Sequence, residues 1–509
     1  MHELEQFAYY LCSMKKTLRK ILWTFFWTLV LISFVSAQTN SFVIKNASII
    51  DGSGRAAFRG DVRVTGDKIV KIGNIKGKKD ETILDANGKI LAPGFIDIHN
   101  HSESGLLREG TAANQVSQGI TTILVGPDGG SPFPLNEYFA KLQGEIAPNV
   151  GAFIGHASLR EEVMNNDYKR QTTNEELAKM LVLMEQAMKD GAFGLSSGLE
   201  YDVGFSASTE ELIALARIAA RYDGIYMTHM RDEEEGMLDA LRESIRIGKE
   251  AKLPVQISHI KMGNRNVWGK SAEAIALIDA ERKNGFDITA DVYPYTAWAS
   301  TITVLVPSRR HDDKAEVEKG LQNVGGADKV LITSCAAHRD YEGKTLEEIA
   351  AAQNVSPTQI YIQIVKDGGA GVVCNSMNES DVKAFYTQSW TMVSSDGGIG
   401  SRHPRGSGTF TRVLSRFVRE NNWFSLEEAV RKMSAFPAQR LGLKDRGLIK
   451  KGFKADLVLF DKEKVKDLAT FAQPQNLSEG IEIVWVNGQK VWENGKTTAN
   501  LPGEILRKK

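Results

Sequence analysis

Between residues 94 and 395 one pattern recurs: a short apolar run, then a segment with helical periodicity. The runs fall at 94–101, 121–125, 150–156, 191–196, 224–229, 254–259, 286–293 and 391–395. Continuous apolar runs of this length, bounded by turn residues, read as strands buried on both faces. The intervening segments carry helix starts such as Ser208-Thr-Glu-Glu211 and Ser425-Leu-Glu-Glu428, where a serine caps the first turn. Strands that alternate with helices pair in parallel, because each crossover returns the chain to the same end of the sheet. Eight such units predict an α/β fold built on a (β/α)₈ TIM-like barrel over 93–445 rather than an open sheet. The interval 300–390 is too long for a crossover. With helices expected at 347–352 and 381–388, it is read as a lid-like insertion over the barrel mouth.

Both ends of the chain differ from this middle. Residues 38–92 read as short strands and turns, and similar material returns in 446–509, with strands at 455–460, 482–486 and 490–492 and an Asn487-Gly488 hairpin turn. Neither part is large enough to bury a core alone, so the two are expected to form one small β-sandwich domain. Ahead of it, Lys15, Lys16, Arg19 and Lys20 precede an apolar run over 21–35 that ends Val35-Ser-Ala37. A basic region, an apolar region and small residues at a cleavage point describe an export signal over 1–37. An uncleaved membrane anchor is the alternative, and Met14 is a second candidate start. Lysine plus arginine and aspartate plus glutamate both number 63 in the 509 residues, which argues against a nucleic-acid partner. Cleavage would remove Cys12 and leave Cys335 and Cys374, whose pairing the sequence leaves open.

The chemistry gathers at strand ends. His99 and His101 close the first run, and alternation puts them on one face with Ile96 and Ile98 on the other. Two imidazoles so placed suit a divalent metal, although two surface histidines would show the same pattern. His229 and His259 close the fifth and sixth runs, 30 residues or one βα repeat apart. Asp396 ends the eighth, where barrel active sites lie.

With these residues assembled, the chain resembles the amidohydrolase superfamily, and within it the N-acyl-D-amino-acid deacylase family. The resemblance rests on Pro93-Gly-Phe-Ile-Asp-Ile-His-Asn-His101, Gly194-Leu-Ser-Ser-Gly-Leu-Glu-Tyr201, Thr228-His-Met-Arg-Asp-Glu233, Ile257-Ser-His-Ile-Lys261, Asp396-Gly397 and His403-Pro-Arg405. The Gly447-to-Asp461 stretch adds the superfamily's return to its β domain. The resemblance implies one metal on His99 and His101, another on His229 and His259, and Asp396 as the catalytic carboxylate. One departure stands out. The family's D-aminoacylases carry a cysteine ligand after the second strand, and this chain has Asp128 in Gly126-Pro-Asp-Gly-Gly130. Asp128 and, less favoured, Glu200 are the candidate bridging ligands, so one or two divalent ions, with Zn²⁺ expected, remain open.

The resemblance further implies metal-dependent hydrolysis of a linear amide, releasing a carboxylate and a D-amino acid, with Asp396 as general base and then acid. Lys261, Tyr201, Arg405 and Tyr293 are the candidates for holding the substrate carboxylate. Lys261 could equally be a solvated strand-end lysine, and Tyr201 could pack beneath a loop. Arg231 and Arg265 are candidates for reading an acidic side chain. His156, at the end of the third run, is either an oxyanion donor or structural. The expected partner is a small N-acyl amino acid or related amide, with membrane contact only through the N-terminal segment and no oligomer specified. A cyclic-amide or dipeptide hydrolase of the superfamily, and a non-catalytic envelope binding protein, are the competing functions.

Overall fold

The computed structural model describes residues 41–508 except Asp80, together with His2, Gln6, Tyr9, Tyr10 and Met14. The apolar run 21–35, its Val35-Ser-Ala37 end and Cys12 lie outside the described residues. The chain divides into a unit ending at Ser41 and a unit from Phe42 onward, and everything below concerns the second. Among the described residues no helix is long and apolar enough to cross a membrane.

The eight expected strands form at Phe95–Asp97, Ile120–Val125, Asn149–Ala152 with Ile154–Gly155, Gly194–Gly198, Ile225–His229, Val255–Ile257, Ile288–Val292 and Thr391–Val393. All neighbouring pairs are parallel. The third strand breaks at Phe153, so the ladder runs in two arcs, of three and six strands. The circle closes between the first and eighth strands just beyond their regular parts. There Asn100 bridges Gly397, the His101 N–H donates to Gly397 O (2.7 Å) and the Asp396 N–H donates to His99 O (3.0 Å). Closure thus falls on the candidate ligands themselves. Their backbones are bonded to each other before any side chain is considered.

Burial explains the pattern. Ile120–Val125, Ile225–His229 and Ile288–Val292 are buried at every position. Helices on the outside present one apolar face, as in Asn174–Lys189, which starts at a complete capping box of Thr173 and Glu176 and buries Met180, Met184 and Met188.

Nine strands from the two chain ends make one hydrogen-bonded sheet system, joined where Ile90–Pro93 pairs antiparallel with Leu457–Phe460. Folded over, it encloses Ile44, Val62, Leu91, Leu457 and Trp485, the β-sandwich expected from both ends. Asn487 and Gly488 have φ of 48° and 76°, the left-handed pair that a two-residue hairpin requires.

Two expectations need correction, and one open question is answered. The last residues do not stay with the β domain: Thr498 N–H still donates to Val491 O (2.9 Å), but Val150 N–H donates to Glu504 O (2.9 Å) and Leu506 N–H to Val150 O (2.8 Å), so the tail from Gly503 onward adds to the barrel's third strand. The insertion ends earlier than 390. Its own antiparallel sheet is Trp298–Thr301, Gly371–Cys374 and Val330–Ser334. The helix Glu379–Tyr386 instead buries Val382, Phe385 and Tyr386 and packs on the seventh and eighth strands, as a barrel crossover must. Finally, Cys335 and Cys374 are both buried free thiols.

Candidate metal centre

The first strand stops at Asp97, and the chain beyond it keeps alternating. Ile96 and Ile98 enter the apolar core, while His99 and His101 turn to the barrel mouth. His99 is fully buried. Its Nδ1 lies 3.2 Å from Asp291 Oδ1, and its Nε2 lies 3.0 Å from Asp128 Oδ2 and 3.4 Å from Asp396 Oδ1. A proton on Nδ1, donated to Asp291, leaves the Nε2 lone pair aimed at the two carboxylates. Asp291 is itself fixed by Ser394 Oγ (2.6 Å), Gln256 Nε2 (2.8 Å) and the His259 N–H (2.9 Å). His101 Nε2 sits 3.3 Å from both Asp128 Oδ2 and Asp396 Oδ1.

The second histidine pair comes from the fifth and sixth strands. His229 Nδ1 is 2.9 Å from His259 Nε2. Two ring nitrogens this close require a proton or a cation between them. The remaining nitrogens are occupied: His229 Nε2 lies 2.6 Å from Glu200 Oε2, and His259 Nδ1 lies 3.1 Å from Glu233 Oε1 and 2.8 Å from Lys261 Nζ. With its Nε2 proton donated to Glu200, His229 keeps the Nδ1 lone pair facing His259 Nε2, while Lys261 and Glu233 together hold the other ring nitrogen of His259.

Asp128 stands between the two pairs. Its Oδ2 reaches His259 Nε2 at 3.4 Å as well as His99 and His101, and its Oδ1 is buried without a hydrogen-bond partner. Two donor sets therefore share it: His99, His101, Asp128 and Asp396 in one, and Asp128, His229 and His259 in the other. Glu200 groups instead with His229 and Glu233, on the far side of His229 from Asp128. Imidazole nitrogens and carboxylate oxygens within 4.8 Å of one another fit a borderline divalent cation such as Zn²⁺. Asp128, His259 and Asp396 all have positive φ, of 54°, 33° and 47°. Non-glycine residues rarely adopt this conformation, and it turns each side chain sharply off its strand or loop into the mouth.

The charges of these groups lean on each other. Burial opposes protonation of His99, yet Asp128, Asp291 and Asp396 raise its pKa well above the ordinary value. Burial also opposes it at His101 and His259, but neighbouring carboxylates carry both up to about 9. Burial pushes Asp128 upward, and His99 and His259 overcome it to hold the carboxyl well below its usual range.

Three of the substrate candidates, Tyr201, Lys261 and Arg405, line a narrow cavity beside this centre. Tyr201 closes one side, its hydroxyl 3.1 Å from His229 Nδ1. Lys261 and Arg405 both face the cavity, but neither cation is free. Lys261 Nζ lies 2.5 Å from Glu233 Oε2, and Arg405 Nη1 lies 2.5 Å from Asp396 Oδ2. The Arg405 guanidinium also stacks over the Tyr293 ring at 4.9 Å, so Tyr293 buttresses the arginine from outside the cavity wall. His403 holds the turn: its Nε2 donates to Ala297 O (3.1 Å) and its Nδ1 accepts from the Arg405 N–H (3.0 Å).

Other candidates lie elsewhere. Arg231 is bound to Glu243 and Phe205 O, and Arg265 stacks on Trp268; neither lines the cavity, so the expected reading of an acidic side chain by these two has no geometric basis. His156 begins a helix, not a strand end, and its Nε2 pairs with Glu211 at 2.7 Å within a buried cluster with Arg160. It does not reach the centre. Asp291 and Glu233 were not foreseen. A carboxylate inside an otherwise apolar strand was the available signal for Asp291.

Similarity to known proteins extends over most of the chain. The group described as "Amidohydrolase family" matches residues 82–492. A D-aminoacylase from Alcaligenes xylosoxydans xylosoxydans is 36% identical over 496 residues, covering 92% of this chain and 98% of that protein. An N-acyl-D-aspartate deacylase from the same organism is 34% identical, covering 91% and 94%. The crystal structure of N-acyl-D-glutamate deacylase from Bordetella bronchiseptica, complexed with zinc and a phosphonate inhibitor, superposes with a TM-score of 0.83 at 33% identity, covering 92% of this chain and 100% of that one.

Proposed function

Because the chain belongs to the amidohydrolase family, we propose that it hydrolyses the amide bond of N-acyl-D-amino acids, releasing a carboxylate and a free D-amino acid. The observation that carries this reading is the placement of Asp396. One of its oxygens faces His99 and His101 and the other is held by Arg405, at the wall of a cavity that also presents Lys261.

His99, His101, Asp128 and Asp396 would hold one divalent cation, and Asp128, His229 and His259 a second, with Asp128 rather than Glu200 as the shared ligand. Zn²⁺ suits this donor set. A cation there supplies Lewis acidity and brings the pKa of water toward neutrality. Asp396 stays ionised beside Arg405, takes a proton from the attacking water at Oδ1 and returns it to the leaving nitrogen. Lys261 and Arg405 supply the positive field for the substrate carboxylate, sharing their charge with Glu233 and Asp396. Glu233 and Asp291 position His259 and His99. Tyr201 covers His229.

Export is part of the same proposal. It rests on the basic, apolar and small-residue pattern of 1–37, and N-terminal sequencing of the protein recovered from the producing cell would show a start at Gln38.

The activity test is release of free amine from paired N-acetyl-D- and N-acetyl-L-amino acids by zinc-loaded protein, with Asp396→Asn as control. Turnover confined to the D series and reduced by about 10²-fold or more in the control supports the reading. Metal-loaded protein inert toward both series overturns it.

A further inference from the structure

A second cavity, of about 690 Å³, opens to solvent on the other side of the centre. It meets the inner cavity at Tyr201 and Ser300, which line both, and it reaches the ligands His101 and Asp128 where the inner one reaches His229, His259 and Asp396. A linear amide with its carbonyl carbon at the centre must therefore place one half in each. The inner cavity contains Lys261 and Arg405, whereas no lysine or arginine lines the outer one. The carboxylate-bearing half belongs inside, and the acyl half is left for the outer cleft.

The outer cleft is built for an apolar chain. Its polar side chains are largely engaged: Glu103 Oε1 accepts from the Gly126 N–H (2.8 Å), the Tyr138 hydroxyl donates to Glu103 O (3.0 Å) and Ser131 Oγ accepts from the Gly155 N–H (2.9 Å). The apolar part of the lining is Leu107, Pro132 and the edges of the buried Pro127 and Tyr138, with Ser104, Gly130 and Thr301 also lining it. Leu107, on the short helix that follows His101, is 49% exposed among the described residues. At the junction, Ser300 Oγ is buried with no hydrogen-bond partner in the protein. An acetyl group would leave almost all of this cleft empty.

Resting on the deacylase reading above, we propose that the outer cleft is an acyl subsite and that the protein acts preferentially on N-acyl-D-amino acids whose acyl chain is much longer than acetyl. The chain lies over Leu107 and between the prolines and Tyr138, open at its far end, so no fixed length is imposed.

The test is kcat/KM for acetyl, butanoyl, hexanoyl and octanoyl derivatives of one D-amino acid, chosen as the best in the acetyl series and kept below micelle-forming concentrations. The zinc-loaded full chain is compared with Leu107→Asp and Leu107→Ala. The expected result is a rise of about tenfold or more from acetyl to octanoyl, since each methylene shielded from water favours binding. Leu107→Asp should abolish the rise, and Leu107→Ala should reduce it. A wild-type series that is flat or falls with length overturns the subsite while leaving the deacylase reading intact. A rise that both variants retain places the chain elsewhere and also overturns it. Inactivity toward every length in the D series overturns both readings together.

Discussion

Arg405 and Asp396 form a buried ion pair, Nη1 to Oδ2 at 2.5 Å, within the candidate centre. Burial would push the Asp396 carboxyl up. The guanidinium, followed by His259 and His99, holds it well below the ordinary carboxylate range. An aspartate that must accept a proton is thus kept ionised in a place where water cannot do so. Replacing Arg405 with methionine removes the largest opposing charge, so the carboxyl titrates at higher pH. The acidic limb of the kcat/KM profile is expected to move upward in the variant. Above that limb activity falls by about two orders of magnitude, the scale for truncating one partner of a buried charge pair. An acidic limb that stays in place would show that Arg405 does not set the ionisation of Asp396.

Asp128 is within 3.4 Å of three histidines and carries a left-handed φ of 54°. Asparagine tolerates that backbone and removes only the charge. Asp128→Asn, loaded with zinc and dialysed, is expected to retain less metal than the wild type, because the two donor sets lose their common anion. Asp128→Cys restores an anionic ligand of softer character and should hold zinc while discriminating more strongly against manganese. Equal metal content in all three proteins by elemental analysis would remove Asp128 from the ligand set.

The tail from Gly503 onward ties the two chain ends to the barrel. Besides the two bonds to Val150, Gly503 N–H donates to Ile146 O (2.9 Å) and Lys508 N–H to Gly191 O (3.0 Å), and Arg446 bonds Glu504 at 2.5 Å. These contacts lie at the third strand, away from the centre. Ending the chain at Asn500 should cost about 4 kcal/mol from four lost backbone bonds, seen as a lower denaturant midpoint, with KM for the best substrate unchanged. A changed KM would mean that the tail reaches the site through the barrel.

Much of this architecture was legible in advance, for an identifiable reason. Parallel strands buried on both faces must be apolar throughout, so Ile120–Val125 and Ile225–His229 stand out against their flanks. A histidine at such a strand's end is equally conspicuous. The insertion sheet was not legible, because Trp298–Thr301, Val330–Ser334 and Gly371–Cys374 are only partly buried and pair across long separations. Pairings between charges were not legible either. Lys261 and Arg405 are readable as cations at the mouth, but their engagement by Glu233 and Asp396 depends on side-chain geometry that spacing does not carry.

Glu211 tests a different part of the molecule. It is 1% exposed and bonds His156 Nε2 at 2.7 Å and Arg160 Nη1 at 2.7 and 2.8 Å, behind the third and fourth strands. Burial would raise its pKa, but His156 and Arg160 together bring it down to about 2 from an ordinary 4.5. A carboxyl depressed on folding stabilises the native state above its unfolded pKa. That contribution, about 3 kcal/mol by linkage, is lost as pH falls from about 4.5 toward about 2. Glu211→Gln should lose it at every pH and also leave the buried Arg160 without its counter-charge, a cost of about 3–5 kcal/mol near neutrality. Urea midpoints across this range should therefore fall more steeply in the wild type than in the variant. Parallel curves would show that the cluster is not the source of acid sensitivity. Metal content should be the same in both proteins, because the Glu211 cluster shares no ligand with the centre.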